Sequence, residues 1–379
     1  MARNGIDLTL DEAYERMHRT GPEFDGWLCN HGPMAADALL RLGQGDRVDG
    51  WLQQYQGRLE DAPSARWRIG EPDWAEYLGD PTRLGDWTVF FGERLQEAAW
   101  QDVLTLWWPR LLPGSIAAST HGLIRTGHAV RALLEEQTEP RLRELSAALG
   151  YWAARWQPLP LGARAAQEHP GEASPDGAAP RDGSPPPSVR PRTSAEWAGM
   201  LSAAPRLELS GGARARLRQL DTSPEWAAFL KNTKPSPSLA AGVPGAIDGL
   251  VDAAVGAYAD NARGNPVMLV HAATAPRAAG LCLLALPRSL WPVTLQWAWQ
   301  TSAAITAMYP APHATAGSLG QGGTDERDSH VDVSATAETV GRHGDEHVIK
   351  FTEVALHASR HDARDLAIAT ALEHIPPIG

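Results

Sequence analysis

"DEHVIKFTEVALHASRHDARDLAIATALEHI", residues 345–375, carries its apolar residues at helical rather than strand spacing. Asp345 suits the N-cap position, and the pattern predicts helix from there onward. At about 100° per residue, His347, Lys350, Val354, His357 and His361 fall on one narrow stripe. His343 joins that stripe only if the helix starts earlier, and Gly341 and Gly344 argue against an earlier start. The chain has only three lysines. Lys231 and Lys234 sit in the polar run "KNTKPSPS", whereas Lys350 shares its face with Val354 and histidines. That placement predicts an inward-pointing amine.

The same periodicity recurs along most of the chain. "LTLDEAYERMHRT", "NHGPMAADALLRLG" and "GDRVDGWLQQYQGRL" read as helices, with Asn30 as a cap and Gly43 as a stop for the second. "DWAEYLGD", "LGDWTVFFGERLQEAAWQDVLTLWWPRLLPG", "STHGLIRTGHAVRALLEEQ" and "EPRLRELSAALGYWAARWQPL" continue the pattern. So do "SPEWAAFLKN", "AIDGLVDAAVGAYADNA", "NPVMLVHAATAPRAAGLCLLAL" and "LWPVTLQWAWQTSAAITAMY". Strand signals are confined to the short "PRLELS" and "HVDVSA". Residues 162–195, rich in Pro, Gly, Ala and Ser, hold too little large apolar surface to offset chain entropy, which predicts a disordered insertion. The segment 312–330 reads as a surface loop. No fixed-period repeat is present. The expected architecture is all-α: a bundle-like single domain of two helical halves, 1–161 and 196–379, joined by the linker 162–195.

Composition narrows the function. A net charge of −11 without a basic block disfavours nucleic acid and anionic membrane surfaces as partners. Two cysteines, Cys29 and Cys282, cannot build a disulfide framework and read as reduced thiols. "MARNGIDLTLDEAYERM" has acids where a signal peptide needs an apolar run. The most apolar stretch, 267–286, is interrupted by Pro276 and Arg277, so no membrane span is expected and the cytoplasm is the expected location.

The thirteen histidines carry the chemistry. His31 begins one predicted helix, His121 begins another with His128 two turns along the same face, and His271 lies in the most apolar stretch of the second half. One such histidine is usually a hydrogen-bonded core residue; several on separate helices suit a metal site inside a bundle. Lys350 adds to that reading. Burial favours the neutral amine, which can add carbon dioxide and become an anionic oxygen ligand. The competing reading has Lys350 reaching solvent or pairing with Glu346 or Glu353. Arg125, one turn after His121, suits orientation of a substrate oxygen and equally suits pairing with a surface acid. Fifteen tryptophans fit helix packing or a flat aromatic pocket. "GSLGQGG" lacks the strand and helix of a dinucleotide fingerprint, and no nucleophile elbow or phosphate-binding loop is present.

"PEFDGWLCNHGPMAADAL", "STHGLIRTGHAVRAL", "ALGYWAARWQPL", "LVHAATAPRAA" and "DEHVIKFTEVAL", in this order, resemble the questin oxidase-like family. The resemblance spans nearly the whole chain except 162–195. It implies a largely helical enzyme that opens anthraquinone rings oxidatively, using non-haem iron held by four histidines and a carboxylated lysine. Carried over by motif, it implies His31, His121, His271, His347 and Lys350 as ligands. His347 is preferred because it lies one turn from Lys350; His343 is the rival.

The expected function is iron-dependent oxidative C–C cleavage of an anthraquinone-like aromatic polyketide, either by ring opening or by Baeyer–Villiger-type insertion. Dioxygen would be the co-substrate, carbon dioxide would supply the lysine carbamate, and a polycyclic aromatic small molecule would be the partner. Two alternatives stand beside it: a flavin- or NADPH-dependent monooxygenase, and a non-catalytic helical protein that binds polyketide intermediates.

Overall fold

Gly344 ends one helix in the left-handed conformation at φ 77°, and Asp345 opens the next by accepting from the amides of His347 and Val348. This reversal separates His343 from Lys350. In the computed structural model, which describes residues 9–161, 192–208, 210–235, 242–310 and 332–378, the chain is all-α. Among the described residues, the β-structure is one antiparallel pair, β1 (Glu23–Phe24) with β2 (Leu28–Cys29), turned at Asp25 and Gly26.

The first half holds α1 (Leu10–Met17), α2 (Gly32–Arg41), α3 (Gly45–Gln56), α4 (Trp74–Tyr77), α5 (Leu84–Glu97), α6 (Trp100–Leu111), α7 (His121–Glu135) and α8 (Glu139–Ala154). The second half holds α9 (Ser194–Ser202), α10 (Ala213–Thr222), α11 (Pro224–Thr233), α12 (Val243–Asn261), α13 (Pro266–Leu269) and α14 (His271–Cys282). It continues with α15 (Trp291–Met308), α16 (Val333–His343), α17 (Glu346–Ala355) and α18 (His361–His374).

Several expectations need correction. The single stripe from His347 to His361 is broken at Leu356, which ends α17, so His361 starts a different helix. His357 turns outward and pairs with Glu353 at 3.3 Å. The described part of "HVDVSA", Asp332 to Ala335, is not a strand. Val333 opens α16, because the Asp332 side chain accepts from the amides of Ser334 and Ala335 and caps that helix. Residues 205–208 form no strand either. The last residues of the expected linker, Ser194 and Ala195, already belong to α9, where Thr193 and Glu196 form a capping box. The rest of that linker up to 191, and the expected loop 312–330, lie outside the described residues.

The two halves share one core. Every residue of α7 from His121 to Leu133 is buried, as expected of a helix enclosed on all sides. It packs against α8 from its own half and α14 from the other. The approach to α14 is close: a Cβ added at Gly127 would lie 2.8 Å from the Ala278 Cα and carbonyl oxygen. Helix α14 runs through Pro276 rather than breaking there. Proline has no N–H to give the Ala272 carbonyl, and the Ser302 hydroxyl on α15 donates to that carbonyl instead, at 2.7 Å. The run Pro266–Ala285 is long and apolar enough to cross a bilayer, yet two-thirds of its most apolar window is buried, with α14 packed on α7, α12 and α15. Further ties between the halves come from the Trp108 indole donating to Thr294 and the Trp51 indole donating to the Gly344 carbonyl. Tryptophans 87, 107, 108, 152, 197, 226 and 299 are fully buried, so these indoles serve packing.

Candidate metal centre

Four helices bring their N-terminal ends to one point. His31 is the N-cap of α2, His121 and His271 are the first residues of α7 and α14, and His347 is the second residue of α17. The ring centroids of His31 and His121 are 4.5 Å apart, those of His121 and His271 4.7 Å, and those of His31 and His347 4.7 Å. Ring nitrogens of His31, His121 and His347 lie within 4.8 Å of one another. Lys350, one turn into α17, is 1% exposed and its Nζ has no hydrogen-bond partner.

Backbone carbonyls fix two of the tautomers. His121 Nδ1–H donates to the Ala118 carbonyl at 2.6 Å, and His271 Nδ1–H donates to the Met268 carbonyl at 3.1 Å. Burial holds both imidazoles well below their ordinary pKa, and the nearby histidines and Lys350 add to the depression. Each ring is therefore neutral, with its proton on Nδ1 and a bare lone pair on Nε2. Those two Nε2 atoms face each other at 3.1 Å. Two facing lone pairs repel unless a cation or a proton lies between them. His31 is also held neutral by burial and by Lys350, and its Nε2 lies 2.7 Å from that of His121. The donor set thus fits a transition metal of intermediate softness.

The Ala118 carbonyl is held in place by an unusual turn. Ala118, Ser119 and Thr120 all have positive φ, at 45°, 55° and 71°. Three consecutive non-glycine residues in this region are costly, and they sit directly before His121.

Burial pushes the Lys350 amine down to about 8, against the opposing pull of Cys29, Glu346 and Asp345. Neither expected competitor takes it. Glu346 accepts from Arg58 at 3.0 Å, and Glu353 accepts from Arg131 at 2.7 Å.

His343 is not part of this cluster. As the last residue of α16 it lies before the reversal at Gly344, and its Nε2–H donates to the Ile375 carbonyl at 3.0 Å. His128 is also elsewhere: its Nδ1 lies 2.7 Å from Asp37, in a buried network with Arg131 and Glu353. Arg125 meets a buried acid rather than a surface one. Its Nε and Nη2 donate to Glu144 at 2.5 and 2.8 Å, while Nη1 has no partner.

Sequence reasoning missed the groups around His31. The Tyr55 hydroxyl accepts from the His31 amide at 2.7 Å, and the Glu346 carboxylate lies 3.9 Å from His31 Nδ1. Glu346 Oε2 is buried without a partner. Its position beside His347 was a usable signal; Tyr55, on α3, offered none. No family model matches the chain, and no curated protein matches it.

Proposed function

We propose that the chain is a non-haem iron-dependent oxygenase that resembles the questin oxidase-like enzymes, cleaving a C–C bond of an anthraquinone-like aromatic polyketide. The observation carrying this reading is the pair of carbonyl-fixed imidazoles, His121 and His271, whose bare Nε2 atoms face each other beside a buried, unpartnered lysine. His31, His121, His271 and His347 would hold the metal by nitrogen. Lys350 would add an oxygen donor: its neutral amine forms an N–C bond to carbon dioxide and loses a proton to solvent, leaving a carbamate anion. When bound, iron supplies the redox chemistry that couples dioxygen reduction to substrate oxidation.

The chain's own residues do the rest. Ala118 and Met268 carbonyls keep the Nδ1 protons of His121 and His271 in place, so neither ring can turn its lone pair away. Burial keeps the imidazoles of His31, His121 and His271 neutral across the physiological range. Asp345 caps α17 and fixes the rotation of the helix that carries His347 and Lys350.

Metal analysis of tag-free protein tests the reading. About one equivalent of iron, present on purification or restored anaerobically with Fe(II), is expected, with iron-dependent dioxygen uptake above the spontaneous autoxidation of an added 1,8-dihydroxyanthrahydroquinone. Less than about a tenth of an equivalent after Fe(II) treatment would reject the iron centre. Iron binding without dioxygen uptake would reject the substrate class.

A further inference from the structure

The four imidazoles of the centre are not held from behind in the same way. His121 and His271 donate through Nδ1 to neutral backbone carbonyls. Among the described residues, no carbonyl accepts from the Nδ1 of His31 or His347, whose ring centroids are 4.7 Å apart. These two rings face carboxylates instead. Glu346 Oε1 lies 3.9 Å from His31 Nδ1, and Asp345 Oδ1 lies 3.5 Å from His347 Nδ1. The two acids are consecutive, so the start of α17 brings both to neighbouring rings.

Glu346 is 4% exposed, and its charge is matched from one side only. Arg58 donates to Oε1 at 3.0 Å, and its guanidinium is itself fixed over the Phe24 and Tyr55 rings, at 5.0 and 4.5 Å from their centroids. Oε2 is left buried with no donor. A buried carboxylate oxygen without a donor is costly, and a His31 ring that carries its proton on Nδ1 supplies one. The Tyr55 hydroxyl, also near that nitrogen, is 3.5 Å away and already accepts from the His31 amide at 2.7 Å. Asp345 has a parallel double role, because the same Oδ1 that faces His347 Nδ1 accepts from the amides that start α17.

We propose that Asp345 and Glu346 are positioning residues for the centre, Glu346 taking the Nδ1 proton of His31 and Asp345 that of His347. Each carboxylate thereby turns the Nε2 lone pair of its ring inward and makes it a stronger donor. The centre then has two sides, one backed by neutral carbonyls and one by two anions from α17. The inference rests on the reading that these imidazoles hold a metal, but not on iron or on any oxygenase chemistry.

Zinc(II), a diamagnetic probe, tests it. Asp345→Asn keeps the helix cap, since asparagine caps as well as aspartate, and Glu346→Gln keeps an oxygen for Arg58. Competition against a chromophoric chelator should show each variant binding zinc about 10–100-fold more weakly than wild type. In the zinc-loaded wild type, the Nδ1 protons of His31 and His347 should resonate downfield of those of His121 and His271, because their acceptors are charged. Each should move upfield only when its own carboxylate is replaced. Unchanged zinc affinity in either variant, or ring-proton shifts that do not follow the substituted carboxylate, would overturn the inference while leaving the metal centre in place. A wild-type protein that binds neither zinc nor Fe(II) would remove the centre and the inference together. The expected shifts in a protein that binds zinc but takes up no dioxygen would support the inference and reject the oxygenase reading.

Discussion

His121 Nε2 lies 2.7 Å from His31 Nε2 and is held there through its other nitrogen, which donates to the Ala118 carbonyl. The ring is thus fixed from behind by a carbonyl in a left-handed turn, and its lone pair is presented forward. If the centre holds metal as proposed, strain in that turn and metal affinity would be coupled, which can be tested.

Ala118→Gly should preserve the fold and metal content, because glycine adopts φ 45° without steric cost and keeps the carbonyl. Ala118→Val should be less stable than the glycine variant by about 2 kcal/mol, since a β-branched residue is poorly tolerated there. It should also bind iron more weakly. Thermal melts and iron titrations of the two variants check this; equal stability would show that the turn relaxes easily.

Removal of the buried amine should separate stability from metal binding. Lys350→Met keeps the volume and discards a polar group with no partner, so the metal-free variant should melt at or above the wild-type temperature. Its iron should be lost. In Lys350→Ala, millimolar acetate should restore part of the iron binding by standing in for the carbamate oxygens, whereas Lys350→Arg should not respond. A metal-free Lys350→Met that melts well below wild type would mean that the amine has a structural partner after all.

Helix spacing offers a remote handle on the centre. Gly127→Ala would force α7 away from Ala278 on α14. Overpacking of this kind costs about 1–3 kcal/mol. Because His121 and His271 head those two helices, the variant should lose iron affinity as well as stability. Iron titration and melting of Gly127→Ala measure both; a stability loss with unchanged affinity would show that the helix starts are positioned independently.

Acid should unfold the protein through its buried carboxylates. Burial disfavours the charged forms of Glu144 and Glu353. Arg125 outweighs this for the first, and His357 with Arg131 for the second, so each is held down to about 2. A carboxylate whose folded pKa lies below its unfolded value contributes stability that is complete above the ordinary carboxylate range. That contribution is lost as pH falls toward the folded value. Melting temperature should therefore be flat near neutrality and fall steadily from about pH 5 toward pH 2. Glu353→Gln should melt lower at pH 7 and show a shallower decline; a wild-type profile still flat at pH 3 would contradict this.

Local chemistry was the legible part of the sequence. Asp345 announced its helix, and the apolar spacing of "HGLIRTGHAVRALL" announced α7. The inward lysine was readable because Val354 shares its face. Helix α16 was obscured because "HVDVSA" alternates like a strand, and only the cap formed by Asp332 decides otherwise. Helices α9 and α10 lay in stretches too polar or too short to signal themselves. Spacing within each helix does not announce the meeting of four helix starts, since it depends on where α2, α7, α14 and α17 cross; the motif resemblance alone grouped these four histidines. For the same reason spacing alone did not distinguish His128, held by Asp37, from His121 two turns earlier on the same face.

The sharing of one core between the halves has a consequence during translation. His31 and His121 belong to the portion synthesised first, and His271, His347 and Lys350 to the portion synthesised last. Until α14 emerges, α7 exposes the apolar face that α14 will cover, with an incomplete donor set at its tip. A metal held as proposed would find its full donor set only after the last of these residues is made, so the centre would be completed late.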